Sequence, residues 1–179
     1  LLLDNKFVYA VQDDKLMKHE VQVIRLFNDQ ALWKHSVASA CACNRIAVDK
    51  ELPGREEAFV IGLMHDIGRV VMNNSERDRF AQSQNLAKDL DIPDIEAEQQ
   101  VFGFTHCDVG SLLVQRWGLS EHLEKAVFLH HEPELASALA PESEAMVYAT
   151  NLSDQICHLL GYGQAFGAEF HVGDAGGVT

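Results

Sequence analysis

Positive charge is scarce in this chain of 179 residues: 14 Lys and Arg stand against 27 Asp and Glu, a formal net charge of −13 with the histidines neutral. Phosphate backbones are held by clustered Lys and Arg, so a nucleic-acid polymer is excluded as partner. Long apolar runs are missing too. The longest, Ala58 to Met64, is closed by His65 and Asp66, well short of the roughly 20 residues that a spanning helix needs, so a membrane is excluded with it. The four cysteines, Cys41, Cys43, Cys107 and Cys157, form no CxxC pair. Set in apolar or helical patterns, they read as small core residues of a reduced, cytoplasmic chain rather than as disulfides. No basic segment precedes a long apolar one, so no signal peptide is expected, and the opening Leu1-Leu2-Leu3-Asp4 without Met reads as part of a longer chain. Against four prolines and three tyrosines, nine histidines are in excess. Histidine is the commonest neutral metal ligand and the usual acid/base group, so their placement decides the functional reading.

At 47% hydrophobic residues the chain is too apolar for disorder and long enough for one substantial core. Its period is helical throughout, with no sustained strand-type alternation, which predicts an all-α fold, a single helical bundle. Leu16, Val23, Ile24 and Phe27 suggest a first helix over 15–28. A second, over 31–49, carries one stripe of Leu32, Trp33, Val37, Ala40 and Cys41 and another of His35, Ala38, Ser39 and Ala42. A very apolar helix over 56–72 is expected at the centre. Ser75 looks like the start of a helix running to Leu90, because a serine oxygen accepts an orphan N–H. A short helix over 94–101 stops at Gly103. Thr105 and Ser120 open two more, and the last long helix, with Pro141 in its first turn, ends at Gly161. Residues 1–30 form an N-terminal helical remnant, 31–161 the domain, and 162–179 a glycine-rich tail.

On these helices His65 and Asp66 fall inside the most apolar one, where a lone carboxylate is costly to bury. Asp154 repeats the problem among Leu152, Ile156 and Cys157, and His35 lies on a small-residue stripe that lets another helix come close. Each has an ordinary explanation by itself: a hydrogen-bonded core histidine, a His-Asp pair bonded to backbone or to an arginine, a salt bridge from Asp154 to a lysine, and His130-His131 resting on a helix dipole. A divalent cation between the helices answers all of them together, since two imidazoles and two carboxylates suit Fe, Mn, Zn or Mg. His106 and the pair His130-His131 would complete a second position, with Asp66 bridging. His19, His122, His158 and His171 fall outside the pattern.

The segments Leu32-Trp33-Lys34-His35-Ser36, Gly62-Leu63-Met64-His65-Asp66-Ile67-Gly68-Arg69, Thr105-His106-Cys107-Asp108-Val109-Gly110 and His130-His131-Glu132-Pro133-Glu134 resemble the HD superfamily of metal-dependent phosphohydrolases. Within it they are most similar to the HDOD branch, the HD-related output domains of bacterial signalling proteins, over residues 30 to 161. The run Arg116-Trp117-Gly118-Leu119 fits the same branch. The resemblance implies an all-α bundle in which His35, His65, Asp66 and Asp154 hold one metal. From the related HD-GYP phosphodiesterases, His106, His130 and His131 add a second position. Those enzymes follow the histidine pair with Gly-Tyr-Pro, where this chain continues Pro133-Glu134-Leu135-Ala136, so cyclic di-GMP hydrolysis is not implied. Arg69 stands where they carry lysine, and its guanidinium would steady a phosphate without donating a proton.

The expected function is a bacterial signal-transduction domain with one or two divalent ions and metal-dependent phosphohydrolase activity on a phosphoester or nucleotide, Asp66 and Arg69 being its catalytic residues. The alternative is a non-catalytic output module that docks a signalling protein around a structural or vestigial metal site. A dedicated nucleotide hydrolase resembling the HD-type dinucleoside polyphosphate hydrolases comes third.

Overall fold

A computed structural model describes residues 30–162. The helix expected over 15–28, His19, His171 and the glycine-rich tail lie outside the described residues. Among those described, every regular element is helical: α1 (Gln30–Asp49), α2 (Ala58–Met64), α3 (Ile67–Ser75), α4 (Arg77–Leu90), α5 (Asp94–Phe102), α6 (His106–Arg116), α7 (Glu121–Leu129), α8 (Ala136–Leu139) and α9 (Glu144–Leu159), with short 3-10 turns at Arg55–Glu57 and Pro133–Leu135. No helix among them is long and apolar enough to cross a membrane.

The 20-residue α1 turns His35 and a row of small side chains inward and leaves Trp33 outside. His35, Ser39, Ala40, Cys43 and Ala47 face inward, whereas Trp33 is 42% exposed and Cys41 is exposed. The stripe of Leu32, Trp33, Val37, Ala40 and Cys41 therefore divides, Ala40 being buried while Trp33 and Cys41 are exposed, and Cys41 is not a core residue. The reason is the close approach of α2. A Cβ on Gly62 would stand 2.6 Å from the Ser39 carbonyl oxygen and 2.7 Å from the Ala40 Cα, so only small residues fit along this contact.

The helix expected over 56–72 is broken in two. His65 and Asp66 form the turn between α2 and α3, and Asp66 adopts φ −96°, ψ 13°, outside the helical region. Consecutive residues of an unbroken helix point about 100° apart. The break aims both side chains into one cavity, bringing His65 Nε2 and Asp66 Oδ2 within 3.6 Å. Just beyond it, a Cβ on Gly68 would lie 1.9 Å from the His106 carbonyl oxygen, so the backbones of α3 and α6 touch.

Elsewhere the helix ends follow local chemistry, with two corrections. Ser75 closes α3, and α4 begins after Glu76 without a side-chain cap. Pro141 sits in the turn before α9 and not in its first turn. Thr105 caps α6 in a reciprocal box with Asp108, which contributes about 1 kcal/mol and fixes the first turn that carries His106 and Cys107. Ser120 caps α7, whose last residue leads directly into His130 and His131. Two apolar clusters result. One joins Cys43, Ala47, Ile61, Val127, Met146 and Val147 from α1, α2, α7 and α9; the other joins Met72, Phe80, Phe102, Phe104 and Val109 around α3 to α6. The His65-Asp66 turn divides α2, which belongs to the first, from α3, which belongs to the second.

Candidate metal centre

Between these clusters converge His35 from α1, His65 and Asp66 from the turn, His106 from α6, His130 from the end of α7 and Asp154 from α9. None is more than 6% exposed. His35 Nε2 lies 3.1 Å from His65 Nε2 and 3.0 Å from Asp154 Oδ1. Asp66 Oδ2 is 3.6 Å from both ring nitrogens, and His65 Nε2 is 3.5 Å from Asp154 Oδ1. Donors about 2.1 Å from one ion stand about 3.0 Å apart in an octahedron and about 3.4 Å apart in a tetrahedron. The observed edges fall around those values.

The outer nitrogens explain why the inner ones are available. His35 Nδ1 donates to the Tyr162 carbonyl at 3.1 Å, His65 Nδ1 to Gly62 at 2.8 Å and His130 Nδ1 to Val127 at 2.8 Å. His106 Nδ1 donates to Glu98 Oε2 at 2.8 Å. A carbonyl or ionised carboxylate oxygen only accepts, so each Nδ1 carries a proton and each Nε2 turns inward. Metal-binding histidines are held in this way by a partner on the far nitrogen. Two Nε2 lone pairs 3.1 Å apart repel unless a proton or a metal ion lies between them, so the donor set fits a divalent cation.

Asp66 also faces the other way. Its Oδ1 is 3.2 Å from His106 Nε2 and 3.7 Å from His130 Nε2, and these two nitrogens are 3.4 Å apart. The same oxygen accepts from Arg69 Nε at 3.1 Å, while Arg69 Nη1 donates to Asp94 Oδ2 at 2.6 Å. Arg69 is itself buried and gripped by two carboxylates, one of them a candidate ligand. Burial opposes the charge on Asp66, but Arg69 and His65 outweigh it and hold the carboxyl well below its ordinary range. Asp154 is likewise depressed against its burial, by hydrogen bonds from His158, His35 and His65.

Burial draws His35 down, yet Asp154 and Asp66 lift it above the usual histidine value. His106 is raised well above that value and His130 to about 10, in both cases against burial, by Cys107 first and then by Glu98 for His106 and by Asp66 for both. Without metal, the surroundings favour protonated His35, His106 and His130. A metal ion would have to displace those protons.

The structure brings His35, His65, Asp66 and Asp154 together on one side of Asp66 and His106 and His130 on the other. His131 stands behind His130, its ring centroid 4.1 Å away, with Nε2 buried and without a hydrogen-bond partner. Burial and the neighbouring His130, His106 and Arg69 keep it well below the usual histidine range. Asp154 has no lysine partner among these contacts; its third neighbour is His158, at 3.2 Å, which the sequence pattern had set aside. The i,i+4 spacing to Asp154 was the available signal. Glu98, fully buried and accepting from both the backbone N–H and Nδ1 of His106, was also missed. So was Cys107, whose Sγ lies 3.6 Å from His106 Nε2. A cleft of about 210 Å³, lined by Leu32, Trp33, Leu63, Ile67, Val70 and Trp117 among others, reaches Asp66 from outside.

An all-α bundle with a buried His/Asp cavity at a broken helix defines a domain of the HD type. Residues 5–133 match the HDOD domain family, and the chain belongs to it. It is similar in structure to an HDOD domain protein of unknown function from Geobacter sulfurreducens, at 29% identity and a TM-score of 0.68 over 82% of this chain and 47% of that one. A Shewanella amazonensis SB2B protein described as a "putative phosphohydrolase" shares the fold at 22% identity and a TM-score of 0.59, over 70% of this chain and 46% of that one. A Marinobacter aquaeolei VT8 protein described as a "putative signal transduction protein" does so at 18% and 0.65, over 78% and 31%. Among curated proteins, an uncharacterized Treponema pallidum (strain Nichols) protein is 24% identical over 75 residues, 42% of this chain and 15% of that one. The chain spans less than half the length of each of these relatives.

Proposed function

We propose that this HDOD domain is a metal-dependent phosphohydrolase module of a bacterial signalling protein, acting in the cytoplasm on a phosphodiester or nucleotide. The observation that carries the reading is the inward convergence of the histidine Nε2 atoms on Asp66 and Asp154, with the Nδ1 atoms tied to carbonyl and carboxylate oxygens. His35, His65, Asp66 and Asp154 would hold a divalent ion, which when bound lowers the pKa of a water and offsets phosphoryl charge. Arg69 positions the bridging carboxylate, and its own charge attracts a phosphate toward an otherwise acidic protein. The cleft beside Asp66, walled by Leu63, Ile67 and Val70 with Trp33 and Trp117 at its rim, offers an apolar bed for the organic part of the substrate.

A second reading, a non-catalytic output module with a structural metal, is favoured by one observation. Arg69 is already clamped between Asp66 and Asp94, so a phosphate would have to compete with two carboxylates for it.

Elemental analysis of protein purified under metal-replete conditions, paired with turnover of aryl phosphate mono- and diesters, nucleotides and cyclic dinucleotides, separates the two. Metal near one or two per chain together with turnover supports the enzyme. Metal without turnover on any substrate class supports the output module. Less than about 0.2 metal per chain rejects both metal readings.

A further inference from the structure

The resemblance that points to His106, His130 and His131 gives Cys107 no role, whereas its position does. One donor atom from each of His106, Cys107, His130 and His131 lies within 4.8 Å of all the others. Cys107 Sγ is 3.6 Å from His106 Nε2, and it lies against the His130 ring, 3.8 Å from the Nδ1 that is tied to Val127. A sulfur and a nitrogen on one tetrahedral zinc ion stand about 3.6 Å apart. The His106-Cys107 pair, in the first turn of α6, also matches the His65-Asp66 turn in one distance: in both, adjacent residues present Nε2 and a second donor 3.6 Å apart.

Two further observations point to a ligand. His131 Nε2 is buried without a hydrogen-bond partner beside this group. A groove of about 410 Å³ lined by Thr105, Cys107, Phe128, His131 and Glu132, among others, connects the group to the surface and gives an ion a way in. Charge argues in the same direction. Arg69 spends part of the negative charge of Asp66, so imidazoles alone leave this side poor in anionic donors, and a thiolate supplies one.

We propose that His106, Cys107, His130 and His131 form a sulfur-containing site for a borderline divalent cation of the zinc type, softer than the site built on Asp154. On binding, the Cys107 thiol gives up its proton to solvent and the sulfur takes the metal in its place. The proposal rests on reading this cavity as a metal centre and adds a donor and a metal preference to it.

Cobalt(II) titration of the metal-free full chain tests it, because thiolate ligation gives cobalt a near-ultraviolet charge-transfer band that nitrogen and oxygen donors do not. The wild type is expected to take up about two ions per chain, one of which brings the band. Cys107→Ser should lose the band and keep the other ion, and Asp154→Asn should do the reverse, with circular dichroism confirming that both variants are folded. Cobalt binding by the wild type without the band overturns the proposal, as does a band that survives Cys107→Ser. A wild type that shows the band but takes up no second, Asp154-dependent ion leaves the sulfur site standing and rejects the proposed hydrolytic centre. No cobalt binding at all rejects both.

Discussion

Asp66 divides the cavity into a half bounded by His35, His65 and Asp154 and a half bounded by His106, Cys107, His130 and His131. His35 and His65 in the first half and His106 and His130 in the second orient their imidazoles alike, with Nδ1 tied outward and Nε2 turned in. They differ in what balances a cation. The first half has a whole carboxylate in Asp154 and the Oδ2 of Asp66; the second shares Asp66 Oδ1 with Arg69 and adds a thiol that burial raises but His106 and His130 lower to about 6. One scaffold thus prepares a hard, oxygen-rich pocket and a softer, nitrogen-and-sulfur pocket a few ångströms apart. Donor type, not helix placement, separates them.

The largest effect is expected from Gly68→Ala, which removes the comparison by damaging both halves. Its Cβ would meet the His106 carbonyl oxygen at 1.9 Å, and backbone cannot step aside as a side chain does. The contact of α3 with α6 must open, at a cost of about 3 kcal/mol, and Asp66 and His106 separate with it. Urea denaturation together with metal stoichiometry checks this: a variant of native stability holding its full metal content would show that the close approach of α3 and α6 is not what sets the two halves against each other.

A smaller and one-sided effect is expected from Glu98→Gln. Glu98 touches only the second half, accepting from His106 N and Nδ1 through the same Oε2. Neutralising it leaves the shape and weakens the basicity of His106, so metal affinity in the second half should fall about 10- to 100-fold with the first half unchanged. Equal losses in both halves would mean that the two share one binding event, and competition with a chromogenic chelator reads both affinities. The thiolate-to-cobalt band reports the second half separately.

Why Glu98 escaped a reading of the sequence is instructive. It stands among Glu96, Gln99 and Gln100 on a short helix with the look of a solvated face, and only the fold reveals that this side of α5 meets His106. Asp66 and Asp154 were legible because a carboxylate among apolar neighbours on a helix demands a partner. The break at His65-Asp66 was not, since no proline marks it, the flanking Gly62 and Gly68 read as helix-contact positions rather than stops, and apolar residues continue on both sides; the chain bends there because α2 packs on α1 while α3 packs on α6. Cys107 was hidden by its own ambiguity, as a buried thiol reads as a small apolar residue until its neighbours prove to be imidazoles. The all-α class, the stop at Gly103 and the caps at Thr105 and Ser120 needed no tertiary information, because they depend on periodicity and on orphan N–H groups near at hand.

The smallest effect, and the one that sharpens the comparison without any mutation, is in pH. In the metal-free protein, Asp66, Asp154 and Glu98 are depressed in the folded state, so their contribution to stability is present above the unfolded value of about 4 and is lost as pH falls through the folded values. His35, His106 and His130 are raised, so theirs is full below about 6.5 and is lost as pH rises, for His130 toward about 10. His131 is depressed and works against this trend, as does the Cys107 thiol, lowered to about 6: two groups against three. Metal-free protein is therefore expected to be most stable on the acid side of neutrality. Metal binding reverses the histidine contribution, because a ligand must shed its proton and stabilisation by the ion grows as pH rises. Adding zinc or manganese should move the pH of greatest thermal stability upward by about one unit. Zinc should move it further if the second half takes part, since that half holds two of the three raised histidines and the thiol. Thermal unfolding across pH with each metal makes the measurement. Identical profiles with and without metal would show that the protons on these histidines are the cavity's natural occupants.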